Sequence, residues 1–240
     1  MKLYKYVKQE RIDVVRNRMI CFTPPGYLND PFECRLYFKA LAEDEQDEHI
    51  RSWRKWASIQ YGILCLTKRP DSLVMWAHYA EAHRGFILEF ESDNSFFNDK
   101  RYETIIDWQW FGEGPPLVHP GFGTLKDVCY SDDRPCTDNP EEIPLESFFM
   151  KSKDWAYEKE VRMILPIHTA DKKDSTKGIY LFEFPLAALT GIILGAGASE
   201  KLTKDLSELV DNEQLCHVSL RKARLNLQTF GIEIVSLREC

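Results

Sequence analysis

Gly62-Ile63-Leu64-Cys65-Leu66-Thr67 is a continuous apolar run, and it stops at a turn signal, Lys68-Arg69-Pro70-Asp71. The run has the length of a strand and no helical period. Behind the turn, Asp71 or Ser72 is well suited to cap a helix over Leu73–Ala82, and Gly85 is placed to end it before a second apolar strand, Phe86–Phe90. Gly62–Phe90 therefore reads as strand, short helix, strand, which commits the chain to a sheet with helices against it.

The rest of the chain fits that commitment. Leu3–Val7 and Met19–Thr23 read as strands on either side of a short helix, Arg11–Arg18. Ala42–Ile59 reads as a helix with its acids toward the N-terminus, its bases toward the C-terminus, and Trp53 and Trp56 turned inward. Asp107–Gly123, rich in Trp, Gly and Pro, reads as a long irregular loop of the kind that covers a site. Leu145–Ser152 looks helical, Lys153–Tyr157 a turn, and Val161–Ile167 a strand that Glu158-Lys159-Glu160 leads into. Strands at Gly178–Phe184 and Gly191–Gly195, a helix from Ser199 to Val210, and strands at Cys216–Leu220 and Ile232–Leu237 complete the pattern. The expected class is α+β: a single domain over 1–240 with a split, mostly antiparallel or mixed sheet flanked by helices.

Composition excludes several functions. With 240 residues, 44% hydrophobic and 29% charged, the chain is a globular protein rather than a disordered one. It has no apolar window of membrane-spanning length and no secretory signal in Met1–Tyr6, so the expected place is the cytoplasm and no membrane partner is expected. Thirty-one Lys and Arg against 38 Asp and Glu give a net charge of −7, so no broad nucleic-acid surface is expected. Seven cysteines without a C-x-x-C pair and six scattered histidines suggest neither a disulfide framework nor a zinc site.

Four places carry candidate chemistry. Glu158 and Glu160, two apart in an extended segment, would present paired carboxylates on one side of the sheet rim, beside Trp155 and Tyr157. A solvated surface pair balanced by Lys159 and Arg162 would account for the same residues. Ser72, Trp76, His78, Tyr79 and His83 lie on or beside one short helix, as a platform for a planar ring or as packing against the sheet. Lys5 in Tyr4-Lys5-Tyr6 could hold a phosphate and Asn29-Asp30 a sugar hydroxyl, although an edge strand and a turn explain them equally well. Gly195-Ala196-Gly197-Ala198-Ser199 lacks the further glycine and the later acid of a dinucleotide loop and reads as a turn with a capped helix.

Taken together, Tyr4-Lys5-Tyr6, Asn29-Asp30-Pro31-Phe32-Glu33, Leu73–Ala80 and Trp155–Arg162 resemble the signature blocks of a bacterial family of uncharacterised proteins that carry N-D-P-F-E, M-W-x-H-Y and W-x-Y-E-x-E-x-R; the blocks lie within residues 1–165, with 166–240 completing the sheet. The order of elements also resembles the ADP-ribosyltransferase fold. That resemblance implies NAD as substrate, with no metal. It implies Glu160 at the ribose 2′-hydroxyl, Glu158 at the acceptor, and Tyr79 stacked on nicotinamide with Tyr6 or Trp76 opposite. Lys5 and Arg162 would meet the pyrophosphate, and the unit from Thr67 through Ser72 would complete the cofactor site with Asn29, Asp30 and His78. The expected role is a transferase or NAD glycohydrolase serving as a toxin or anti-phage effector on an unknown macromolecular acceptor. Two other readings are a non-enzymatic nucleotide or protein-binding module, and a metal-dependent hydrolase using Asp30, Glu33, Glu158 and Glu160.

Overall fold

The structure, a computed structural model, describes residues 1–100, 121–139 and 145–238. Of the expected Asp107–Gly123 loop, residues 107–120 lie outside that range. In chain order the elements are β1 (Lys2–Val7), α1 (Asp13–Asn17), β2 (Met19–Cys21), β3 (Tyr37–Phe38), α2 (Glu43–Gln60), β4 (Tyr61–Thr67), α3 (Leu73–Tyr79) and β5 (Phe86–Glu91). Then come β6 (Lys126–Asp127), β7 (Cys129–Ser131), β8 (Cys136–Thr137), β9 (Met150–Ser152) and β10 (Glu160–Pro166). The chain continues with β11 (Lys172–Asp174), β12 (Ile179–Glu183), β13 (Leu189–Leu194), α4 (Glu200–Val210), β14 (Ser219–Leu225) and β15 (Ile232–Arg238). The class is α+β with a mixed sheet, and among the described residues no helix is long and apolar enough to cross a membrane.

Two compact units are built from separate stretches of chain. Met1–Ile20, Leu66–Phe96 and Glu183–Cys240 make the first, and Cys21–Cys65 with Phe97–Phe182 the second.

In the first unit the strands run in the order β15-β14-β13-β5-β1. β1 pairs antiparallel with β5 from Lys2↔Glu91 to Val7↔Phe86, β13 pairs antiparallel with β5, and β13 with β14 runs parallel. Leu88, Ile192 and Leu220 stand in register across three strands and are buried together. α4 lies against β14 and brings a buried stripe, Leu202, Leu206 and Val210, at helical spacing. Ser199 caps it as its position before the helix suggested, accepting from Leu202 N at 3.1 Å. α3 packs against β1, capped by Ser72, which accepts from Met75 N.

α3 is shorter than expected. It ends at Tyr79, and Glu81, Ala82 and His83 then take left-handed φ values of 53°, 51° and 66°. Close backbone approaches hold this turn: Gly195 N donates to Gly85 O and Gly197 N to His83 O, both at 2.9 Å. A Cβ on Gly85 would stand 2.1 Å from Val7 O, and one on Gly195 2.1 Å from His83 O, so glycine is required at both.

In the second unit, α2 turns Ile50, Trp53 and Ala57 onto a core of Phe38, Tyr61, Phe122, Phe148 and Ile164. β10 has β4 and β6 as neighbours and is buried along its whole length. The expected Leu145–Ser152 helix is instead a short 3-10 turn, Leu145–Phe148, followed by β9, which pairs in parallel with β7 from Cys129↔Met150 to Ser131↔Ser152. Pairing with a strand distant in sequence overrides the local helical pattern.

Candidate functional site

The chemistry of the second unit gathers where β9, the following 3-10 turn and the start of β10 meet. β9 carries Lys151 in its middle. The turn Lys153–Glu158 is opened by Ser152, whose hydroxyl accepts from Asp154 N, and closed by Lys159 in a left-handed conformation with φ 43°. Glu158 thus ends a turn and Glu160 begins a strand. The kink between them, rather than strand alternation, brings both carboxylates to Lys151.

Lys151 Nζ lies 2.6 Å from Glu158 Oε2, 3.3 Å from Glu160 Oε2 and 3.2 Å from Glu33 Oε1. Arg162, two residues along β10 and so on the same face as Glu160, grips that carboxylate with both forks: Nε donates to Oε1 at 2.8 Å and Nη2 to Oε2 at 2.9 Å. Arg162 also donates to Phe148 O at 2.7 Å and pairs with Glu33. All five residues are buried, Arg162 completely.

Three carboxylates thus face two cations away from water, an arrangement that costs desolvation and survives only because each charge has close partners. Burial alone would raise the Glu160 carboxyl, but the Arg162 guanidinium, with help from Lys151 and the Cys65 thiol, outweighs it and holds the group down to about 2. Burial would lower Lys151, and Glu160, Glu33 and Glu158 overcome that and raise it. Burial pushes the Tyr130 hydroxyl up to about 12, where it remains protonated while accepting from Glu160 N at 2.8 Å. At neutral pH Glu160 and Lys151 are therefore both charged.

A sign follows for pH. The folded-state value of Glu160 lies below its ordinary 4.5, so the stability it contributes is present above pH 4.5 and is lost as pH falls toward 2. Acid unfolding followed by circular dichroism is expected to show a shallower dependence on pH across that window in Glu160→Gln; an unchanged slope would show that Glu160 is not held down in the folded protein.

A cavity of about 220 Å³ opens beside the cluster, lined among others by Phe32, Asp132, Asp133, Arg134, Met150 and Lys151. Lys151 is the member of the cluster that reaches this cavity, with its ammonium 4.6 Å from the centre of the Trp155 ring. Arg134 lies over the Phe32 ring at 5.9 Å. The walls thus offer one aromatic ring, a guanidinium and two carboxylates within a small volume.

Of the residues singled out from sequence, Glu158, Glu160 and Arg162 meet here, and Asn29 and Asp30 lie on the loop that supplies Glu33. Asp30 is buried and makes the expected turn, accepting from Phe32 N at 2.9 Å. Glu158 and Glu160 are not the solvated pair that Lys159 was to balance: Lys159 is exposed and Lys151 takes its place. Arg162 directs four donated hydrogen bonds to protein groups and is fully buried, which corrects its reading as a pyrophosphate contact.

The remaining candidates belong to the first unit. Trp76 is fully buried, edge-on to Tyr6 at 5.2 Å and stacked on His83 at 6.2 Å, and its Nε1 donates to Pro70 O at 2.9 Å. Tyr6 donates to Arg69 O at 2.8 Å, and Thr67 accepts from Arg69 N at 2.9 Å. With Ser72 as helix cap, Tyr6, Thr67, Ser72 and Trp76 hold the Lys68–Asp71 turn against α3, so the Trp76 ring is core rather than a stacking platform. Tyr6→Phe is expected to cost about 1 kcal/mol in urea unfolding, the usual worth of one buried hydrogen bond; an unchanged midpoint would show that this bond contributes nothing. Lys5 lies on β1 opposite Leu88, His78 is exposed, and Tyr79 is half-buried with its ring 6.1 Å from His78.

Lys151, Tyr130 and Cys65 had no signal as site residues. A strand reading of Phe149-Met150-Lys151-Ser152 would have marked Lys151 as a lone cation in an apolar run; the helical reading hid it. Among the described residues no group of His, Cys, Asp or Glu is arranged to hold a metal ion.

In comparison with known proteins, residues 75–163 match the model of a family described as a protein of unknown function (DUF2971). The matched stretch begins at Met75 in α3 and ends at Met163, one residue past Arg162. No curated protein and no solved structure matches the chain.

Proposed function

We propose that the chain binds an NAD-like nucleotide at the cavity beside Lys151 and breaks its nicotinamide glycosidic bond, as an ADP-ribosyltransferase or NAD glycohydrolase. The observation that carries this reading is the meeting of Glu158 and Glu160 on the Lys151 ammonium at a cavity wall, with Glu160 held ionised. Departure of nicotinamide builds positive charge on the ribose, and a carboxylate that cannot take up a proton is the group that stabilises it. Glu160, fixed by Arg162, would supply that charge and meet the ribose 2′-hydroxyl; Glu158 would position the acceptor, which is a protein side chain, a nucleobase or water. Lys151, on a flexible stem, would hold the pair together until substrate provides the opposing charge. Consumption of NAD or modification of a target is how such an enzyme would act as a toxin or anti-phage effector.

The test is release of nicotinamide from labelled NAD. Wild type is expected to release it, and Glu160→Gln to do so about 10²–10³-fold more slowly, the usual cost of removing one preorganised electrostatic group. Equal rates in the two proteins, or no release by wild type, reject the reading. The burial of Glu160 to 5% exposure favours a second reading, a nucleotide-binding module without chemistry, which saturable NAD binding without nicotinamide release would select.

A further inference from the structure

β15 is the last strand in the order of the first unit, so among the described residues no strand lies beyond the hairpin that it forms with β14. The connecting loop, Asn226–Gly231, is closed on itself. Asn226 N donates to Gly231 O at 3.0 Å and Gly231 N to Thr229 O at 2.9 Å, while the Asn226 side-chain oxygen accepts from Gln228 N at 2.8 Å and Thr229 N at 2.7 Å. The Asn226 side-chain amide also donates to Glu233 on β15. A backbone tied in this way holds two large side chains out: Leu227 is 100% exposed and Phe230 103%. Hairpin tips ordinarily carry polar residues, so a fixed Leu and Phe at one mark a contact surface.

The same loop walls a cavity of about 330 Å³ together with Leu73 of α3 and Leu225 of β14. Val74, next to Leu73, is exposed on that helix. A cavity of about 150 Å³ already admits a benzene ring, so this one has room for an incoming phenylalanine. Knob and hole thus lie side by side on one chain, the condition for a two-fold contact in which each copy gives what the other receives. Charge points the same way. No residue from Leu225 to Ile232 is charged, and Arg224 stands opposite Glu233 in the strand register, in a chain of net charge −7. A strongly charged partner finds nothing to grip there, whereas a second copy, acidic like the first, meets no like charge. Leu225, Leu227, Phe230 and Val74 present on the order of 400 Å² of apolar surface, so two copies with their polar rims bury about 1,000 Å², the lower limit for a specific interface, and the pair should dissociate on dilution.

We infer that this tip is the surface on which a second copy of the chain docks, with Phe230 and Leu227 of each copy seated in the cavity between Leu73 and Leu225 of the other. The contact is independent of the nicotinamide reading: all of its residues belong to the first unit, and none takes part in the proposed chemistry.

Sedimentation equilibrium of the full chain provides the test, under reducing conditions that keep the exposed Cys129, Cys136 and Cys216 from cross-linking. Across a dilution series wild type is expected to shift from the mass of two chains to that of one. Phe230→Asp and Leu227→Asp are each expected to weaken the association by about tenfold or more, and Phe230→Leu by less. Ile59→Asp, which places the same charge at another exposed apolar residue, is expected to leave it unchanged. Both tip side chains are wholly exposed, so neither change removes a core contact. Circular dichroism checks folding, and Leu227→Asp carries the test should Phe230→Asp not fold. Wild type that stays a single chain at every concentration overturns the inference, and flotation of that chain with phosphatidylcholine vesicles, lost in the tip variants, assigns the tip to a lipid surface instead. Dimerisation that the folded tip variants leave unchanged, or growth past two chains, overturns it as well.

Discussion

Arg162→Leu is expected to lower stability by about 3–5 kcal/mol, the cost of leaving buried carboxylates without their counter-charge. The guanidinium is the bidentate partner of Glu160, a partner of Glu33 and a donor to Phe148 O, all in a fully buried setting. Leucine fills part of the volume but satisfies none of these groups. The variant should also reverse a sign. In wild type Glu160 sits below its ordinary 4.5, so acid weakens the fold; without Arg162, burial dominates, the folded-state value rises above 4.5 and the folded protein binds protons more readily than the unfolded chain. Urea unfolding at pH 7 and pH 5 is therefore expected to show the variant's deficit shrinking at the lower pH. A deficit under about 1 kcal/mol at pH 7, the level of an exposed pair, would mean that the cluster is not dry.

Gly85→Ala comes next in expected effect. Its Cβ would stand 2.1 Å from Val7 O and 3.2 Å from Ala80 O, both backbone atoms at the place where β5 leaves the left-handed turn and pairs with the end of β1. Side chains can rotate away from such a contact, whereas two paired strands cannot. A loss of about 3 kcal/mol is expected, the upper range for overpacking. Gly197→Ala is the matched control: its Cβ would lie 3.4 Å from His83 O, ordinary contact, and the change should stay within about 0.5 kcal/mol. Thermal melts of the two variants against wild type decide the matter, and similar losses in both would show that glycine's backbone freedom rather than close approach is what the site requires.

The parts of the fold that were legible from sequence are those in which local signals agree. Ser72 before an apolar helix, Gly85 behind it and apolar runs on both sides located α3 between β4 and β5, and Ser199 with a Leu-rich period located α4. Leu145–Ser152 was misread because its local pattern is helical while its pairing partner, β7, lies elsewhere in the chain. The two acids come together by a different geometry from the one expected: alternation predicts a shared face, whereas the left-handed Lys159 brings both carboxylates to one lysine. Periodicity cannot separate an aromatic platform from an aromatic core, since both repeat every three or four residues; only the neighbours of Trp76 show which it is. From sequence, Glu33 groups with Glu158 and Glu160 only as an acid that a divalent ion would gather; that two cations, Lys151 and Arg162, hold it there instead is not visible in any local pattern.

The strand order of the first unit also bears on synthesis. β5 lies between β1, made first, and β13, which spans Leu189–Leu194. A ribosome adding about 5–20 residues per second needs roughly 5–20 s to pass from the end of β5 to the end of β13. Throughout that interval the apolar flank of β5 has only its earlier neighbour, and an unpaired strand edge is a template for the wrong partner. High contact order of this kind makes the nascent chain, rather than the finished protein, the form most exposed to aggregation.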